Sequence, residues 1–358
     1  VLSIKIILMK LRILKKLSFV IIVAGIVFLN ACHTASIPLE VLLPAEINIP
    51  QHIENVAVAN RSLPADNKKV TNILEGLLTG ESLFADRVGS NHCIEGLVEK
   101  LNTSPRFVAL LYGGDELKGT GTKTFATPLD WAKVDDICLR NKVDALILLE
   151  TFDSDMHINK GSRKEKRTKD EEVYYVTVFH ADLTVNVNAG WRIYDQKNHR
   201  IIDQKTFRDV KNWSSKGNTP DDALHKLPNK RRAINDAAIF AGNRFAVRIS
   251  PTWTHSSRIY YTGKIDDFKL AKKYVQNKDW DMAIAIWKHH VDDPEPKIGG
   301  RACFNMGIAS EMKGEFDIAL KWMKKAYYDY DIKKAQQYIN ILNKRIIDQQ
   351  KLDEQMGN

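Results

Sequence analysis

At 358 residues the chain is long enough for two ordinary hydrophobic cores. Hydrophobic residues at 44% and charged residues at 27% argue against wholesale disorder. The formal charge of +9 includes Lys5, Lys10, Arg12, Lys15 and Lys16; without those five, about +4 remains, too little for a nucleic-acid binder driven by charge. Met9 to Cys32 has the three parts of an export signal. Lys10, Arg12, Lys15 and Lys16 form a basic start, and Leu17 to Leu29 then runs apolar apart from the small residues Ser18, Ala24 and Gly25. That run of about 13 residues is shorter than the roughly 20 a spanning helix needs.

Leu29-Asn30-Ala31-Cys32 closes the run and resembles the lipobox of bacterial lipoproteins, in which a small residue precedes a cysteine that takes diacylglycerol. Asn30 departs from the commoner small residue at its position. The resemblance implies a signal peptide over residues 1–31 and lipidation at Cys32, where a thiolate supplies the nucleophile. Two or three acyl chains hold a protein stably at a bilayer where one does not. His33 follows the cysteine. By resemblance to lipoprotein sorting rules, this implies an outer-membrane, lipid-anchored, periplasm-facing protein. Residues 32–50, with Pro38, Pro44 and Pro50, are expected to form an extended tether.

Residues 51–250 are expected to form an α/β domain. Ile53 to Ala59 predicts a short strand buried on both faces. Val70, Ile73, Leu74, Leu77 and Leu78 recur at helical spacing, as do Ile94, Leu97, Val98 and Leu101. Phe107 to Tyr112 predicts a second buried strand. Thr127-Pro128-Leu129-Asp130 is expected to open a helix with Thr127 as its cap and with Trp131, Val134, Ile137 and Cys138 as its apolar stripe. Val143 to Glu150 predicts a third strand. From Val173 to Ile193 nearly every second residue is apolar, and His180, Asp182, Thr184, Asn186, Asn188 and Arg192 line the other face, which predicts an antiparallel strand with one wet face. Gly190 is the expected bulge. Ile201 to Val210 is the return strand, and Ala233 to Val247 a closing helix. Cys93, Cys138 and Cys303 read as buried reduced thiols.

Three stretches invite chemistry. Gly113-Gly114 to Thr124 is rich in glycine and threonine, but Thr122 stands before Lys123 where a phosphate loop needs glycine. A connecting loop is expected. Asp153, Asp155 and His157 alternate, so a strand would turn all three to one side as a partial metal set; a polar strand face gives the same pattern and is preferred. Lys160 to Lys169 holds six basic residues and is expected to be a solvated hairpin loop, with anionic lipid or an acidic partner as the lesser reading. No sequence motif nominates a nucleophile, a metal or another cofactor.

The strings Val56-Ala57-Val58, Lys142 to Leu148 and Trp191-Arg192-Ile193-Tyr194-Asp195 resemble a small α/β domain of envelope proteins, such as the amino-terminal domain of TolB and the curli-secretion lipoprotein. The layout also resembles uncharacterised Bacteroidetes lipoproteins that carry such a domain before helical repeats. The resemblance implies a mixed sheet with helices, α+β or α/β in class, and an envelope-assembly or docking role without catalytic residues.

Residues 264–358 are expected to be all helical. Within 264–331, positions 36 apart agree in size: Ala271 with Gly307, Trp280 with Phe316, Ala283 with Ala319, and Trp287 with Met323. These spacings resemble the tetratricopeptide repeat, whose small residues let paired helices approach. Ile332, Ala335, Ile339, Leu342 and Ile346 supply a capping helix. The resemblance implies a peptide-binding face on the first helices, which by register includes Phe268, Lys272, Arg301, Phe304 and Ile308; packing against the other domain is the equally weighted alternative. The expected function is therefore a membrane-anchored lipoprotein that docks or scaffolds envelope proteins. The expected alternatives are an oligomeric subunit of a secretion complex and, less favoured, a metal-dependent enzyme.

Overall fold

The computed structural model describes residues 34–64, 80–121 and 123–357. The expected signal peptide, Cys32, His33, the helical stripe Val70 to Leu78 and Thr122 lie outside the described residues. The chain divides into two units, each assembled from separated stretches. One comprises Leu42–Trp253 with residues 351–357, and the other comprises residues 34–41 with Thr254–Gln350.

The larger unit is built on a mixed five-stranded sheet. Its strands are β2 (Asn55–Asn60), β3 (Val108–Leu111), β4 (Ala145–Lys169), β5 (Glu172–Asp195) and β6 (Arg200–Gly217), in the order β3-β2-β4-β5-β6. β2 runs parallel to both β3 and β4, and the rest is antiparallel. Because β2 is central it is buried on both sides, as its run Val56-Ala57-Val58-Ala59 requires. β3, expected to be buried, is an edge strand with Val108 and Leu111 exposed. The helices α1 (Gly80–Leu101) and α4 (Lys230–Ile249) cover one face, where Val56, Val58, Ile147, Leu183 to Ile193 and Phe245 form the main core. The helix α2 (Trp131–Asn141) covers the base of the other face through Val134, Ile137 and Cys138. Its amino-terminal cap is Asp130, not Thr127, and a short α3 (Pro220–His225) follows β6.

Two departures shape the sheet. The irregularity expected at Gly190 lies in the strand opposite: Leu149 pairs with Trp191 and Thr151 with Gly190, so Glu150 is the extra residue. The insertion reverses the alternation of β4, so that Phe152 and Met156, following Ile147 and Leu149, still face the helices. Secondly, the basic segment 160–169 is strand, not loop. It pairs residue for residue with β5 down to Lys169↔Glu172, and the turn is only Asp170-Glu171, both left-handed at φ 50° and 67°. The expected wet face of β5 is only partly so: His180, Asp182, Thr184 and Asn188 are half-buried, and Asn186 and Arg192 are buried.

The smaller unit is mostly helical. Residues expected as tether instead form β1 (Thr34–Leu43), which pairs with β7 (Thr252–Tyr261) in a two-stranded sheet. Ala35 and Ile37 alternate inwards onto the helical core, while Pro38 is exposed, where its missing N–H costs little. Five helices follow: α5 (Asp266–Gln276), α6 (Trp280–Lys288), α7 (Pro296–Met312), α8 (Phe316–Tyr328) and α9 (Lys333–Met356). Positions 36 apart fall on corresponding helices. Ala271, Ala283, Trp287, Gly307, Ala319 and Met323 are buried, while Trp280 and Phe316 begin the second helix of each pair. Lys278 and Gly314, also 36 apart, both take left-handed backbone in the intervening turns.

Candidate functional site

Glu150, displaced out of register by the bulge, turns into the α2 side of the sheet and is completely buried. Arg192 Nη1 lies 2.7 Å from Glu150 Oε1, and Arg61 Nη1 lies 3.2 Å from the same oxygen. The two guanidinium groups also donate to backbone carbonyls. Arg61 reaches Lys118 and Thr127, and Arg192 reaches Ala126 as well as Gln204 and the Tyr194 hydroxyl. The arrangement straps the Gly/Thr-rich connection to the sheet. That connection is the segment whose glycines suggested phosphate binding, and close packing accounts for Gly119, where a Cβ would lie 2.0 Å from the Arg61 carbonyl oxygen.

Asp153, Asp155 and His157 do share one side of β4, but they do not converge. Asp153 is neutralised by Lys123 Nζ at 2.9 Å, and Asp155 and His157 are exposed beside Asn186 and Thr184. Among the described residues no three His, Cys, Asp or Glu side chains are grouped as a metal would need. The sequence did not single out Asp86. It reaches β4 from α1 and accepts a 2.5 Å hydrogen bond from Ser154 Oγ. Burial, aided by Asp153 and Asp155, raises its carboxyl to about 6. Cys93, Cys138 and Cys303 are free and buried, and burial pushes the Cys138 and Cys303 thiols up to about 12, outside the reactive range.

The face expected to receive peptide in the helical unit is filled by the protein itself. Phe268, Phe304 and Ile308 are buried, and Lys272 and Arg301 are half-buried. Phe304 lies between Tyr261 of β7 and Tyr338 of α9, at ring separations of 5.3 and 5.7 Å. Arg301 stacks over the Tyr261 ring at 4.9 Å. Asn305 hydrogen-bonds both the N–H and the C=O of Tyr261, each at 2.7 Å, as another strand would. Beneath them Glu311 receives Arg258, Arg345 and the Tyr338 hydroxyl. Burial opposes ionisation of Glu311, but the hydrogen bonds from Arg258 and Tyr338 hold its carboxyl below the usual range. The small residues of the pattern thus let α7 sit at the centre, and the strand and last helix take the place of a ligand.

What remains accessible is the far end of the β4–β5 hairpin. Beyond the last β6 pair, Phe179↔Gly217, two strands continue alone with their basic and aromatic side chains in solvent.

These features define a two-unit protein whose buried charges fix backbone and which extends an exposed β-ribbon. Over residues 53–261, a stretch exceeding half its length, the chain belongs to the family described as Domain of unknown function (DUF8603), and residues 269–344 match Domain of unknown function (DUF6340). No curated protein matches the chain. It has a distant structural similarity to a protein described as a neuraminyllactose-binding hemagglutinin homolog from Helicobacter pylori. Identity there is 13%, coverage 57% of this chain and 87% of that one, and the TM-score 0.22. The hypothetical protein CT253 from Chlamydia trachomatis is similar at 10% identity, covering 55% of this chain and 92% of that one, with a TM-score of 0.17.

Proposed function

We propose that the protein is a non-enzymatic lipoprotein, acylated at Cys32 and held at the periplasmic side of the outer membrane, that docks or scaffolds other envelope proteins. The observation that carries this reading is the sequence Leu29-Asn30-Ala31-Cys32 directly after a basic and then apolar segment. The buried arginine–carboxylate clusters support it in a lesser way, because each is spent on holding loops and strands in place. The helical unit is read as two tetratricopeptide-like hairpins, supported by the 36-residue spacing of its small, bulky and left-handed positions. With its first-helix face covered by β7 and α9, partners would meet outer surfaces and not Phe268, Phe304 or Ile308. A Cys32→Ser chain should lose the acyl mass and leave the membrane fraction; equal membrane retention, or a native protein without acyl mass, would defeat the reading. Cross-linking in native membranes identifies the partners.

A second reading, an oligomeric subunit of an envelope assembly complex, has one observation in its favour. β3 is a sheet edge that exposes the Val108 and Leu111 side chains, although Asn102 already binds the Ala109 N–H and C=O. It requires a defined oligomer in mild detergent, and a monomer at high concentration in light scattering rejects it.

A further inference from the structure

The paired strands of β4 and β5 outrun β6 by residues 172–178 of β5, about 24 Å of extended chain. Directly paired residues share a face, so the register separates the ribbon's side chains into two sets. On one side stand the even-numbered residues 158–168 of β4 and the odd-numbered residues 173–183 of β5: Lys166 opposite Tyr175, Lys164 opposite Thr177, Thr168 opposite Val173, and Lys160 opposite Ala181. No carboxylate occurs in that set. Its apolar members are exposed, Tyr175 at 65%, Val173 at 51% and Ile158 at 42%. The opposite side has Arg163, Arg167 and Lys169 but also Glu165 and Glu172, and Glu165 is held by Arg163 at 2.7 Å and Lys216 at 3.1 Å.

The lysine face continues the side of the sheet that α1 and α4 cover lower down. Its cover ends near α3, where Ser215 Oγ donates to the Ala223 carbonyl. Lys160 stands level with that point and Ile158 just below it, both exposed, and above it no described residue covers the face. Three like charges without a counter-charge on one face complement an anionic surface. The aliphatic Ile158 and Val173 with a single tyrosine suit the boundary between headgroups and acyl chains better than stacked bases, which need several aromatic rings. Both ribbon edges keep unpaired backbone groups, because β6 stops at Gly217 and β2 pairs β4 only as far as Leu149. Such edges are costly in hydrocarbon and keep the ribbon at headgroup depth.

We propose that Lys160, Lys164, Lys166, Ile158, Val173 and Tyr175 form a membrane-contact face that lies on a bilayer surface rich in anionic phospholipid. This contact is separate from acylation at Cys32 and does not rest on it. The test uses the full chain carrying Cys32→Ser, with and without further substitutions, so that residues 1–31 contribute equally to every arm. Partitioning is measured onto phosphatidylcholine vesicles with and without about one-third phosphatidylglycerol, with circular dichroism to verify the fold. Losing a lysine weakens binding roughly fivefold, so Lys160→Gln, Lys164→Gln and Lys166→Gln together should cost on the order of 100-fold on anionic vesicles. Arg163→Gln with Arg167→Gln, on the other side, should cost less than roughly threefold. Tyr175→Ser alone should weaken binding measurably. Undiminished binding by the triple variant, equal losses from both faces, or displacement from vesicles by a short DNA duplex would each overturn the proposal, the last in favour of a polyanion site.

Discussion

Asp86 reaches across from α1 to Ser154, and burial raises its carboxyl from 3.8 to about 6. A carboxyl that is harder to ionise folded than unfolded favours folding while protonated. Its contribution is complete below about pH 4 and is lost as pH rises through about 6. Asp86→Asn should therefore flatten stability between pH 4 and 6 and raise it at pH 7 by on the order of 1–2 kcal/mol. Urea midpoints across that range check this, and an unchanged slope would remove Asp86 as its cause. Burial raises the Glu150 carboxyl as well, but Arg61 and Arg192 oppose that shift, so Glu150 is a buried group that depends on its partners. Arg192→Leu leaves Glu150 with Arg61 alone and releases the Ala126 carbonyl, so a loss of about 3–5 kcal/mol is expected in the same measurement. Neither residue stood out in the sequence. Asp86 is one acid in a polar stretch, and Arg192 occupies the polar phase of an alternating strand. Only the bulge at Glu150, which no residue type announces, brings a carboxylate to that arginine.

The contact between α1 and α4 shows what an element contributes beyond its own residues. The two helices meet backbone to backbone: a Cβ on Gly242 would lie 2.0 Å from the Cys93 carbonyl oxygen, and one on Gly96 would lie 2.5 Å from that of Ile239. Gly242→Ala must push the helices apart and should cost about 1–3 kcal/mol, read as a drop in thermal midpoint. An unchanged midpoint would mean that the helices shift freely. Elements with strong apolar rhythm were legible in the sequence: β2, β5, α2 and α4 fall close to where Val56–Ala59, the alternation from Val173, the Trp131 stripe and Ala233–Val247 put them. The ribbon was not. From Lys160 to Lys169 apolar residues vanish, and pairing there is specified by Tyr174, Tyr175 and Val176 across the turn instead of by a core. β1 was hidden for another reason, since Pro38 interrupts the alternation of Ile37, Leu39 and Val41 and Pro44 follows closely. The two readings of Phe268, Phe304 and Ile308 stayed equally weighted because helical spacing finds the buried side of a hairpin but does not tell what packs against it.

On the scale of the molecule, both units depend on residues far apart in the chain. Gln355, near the end of α9, bonds the N–H and C=O of Ala45 at 2.9 and 3.1 Å and Asn48 at 2.7 Å, while its own carbonyl accepts from Arg106. Gln355→Ala should leave the buried Ala45 groups unpaired and lower the stability of the larger unit by about 1–3 kcal/mol. Faster hydrogen exchange at Ala45 and Ile47 would register the loss, and unaltered exchange would show that water replaces the side chain.

The interleaving also has a temporal side. Domains usually settle in the order in which the ribosome emits them, at roughly 5–20 residues per second. Here residues 34–41 must wait for Thr254 onward, and the sheet-bearing unit lacks its last contributors until residues 351–357 emerge. A nascent chain halted anywhere before residue 350 therefore holds no complete unit. Premature termination late in translation would be as damaging as termination near the middle.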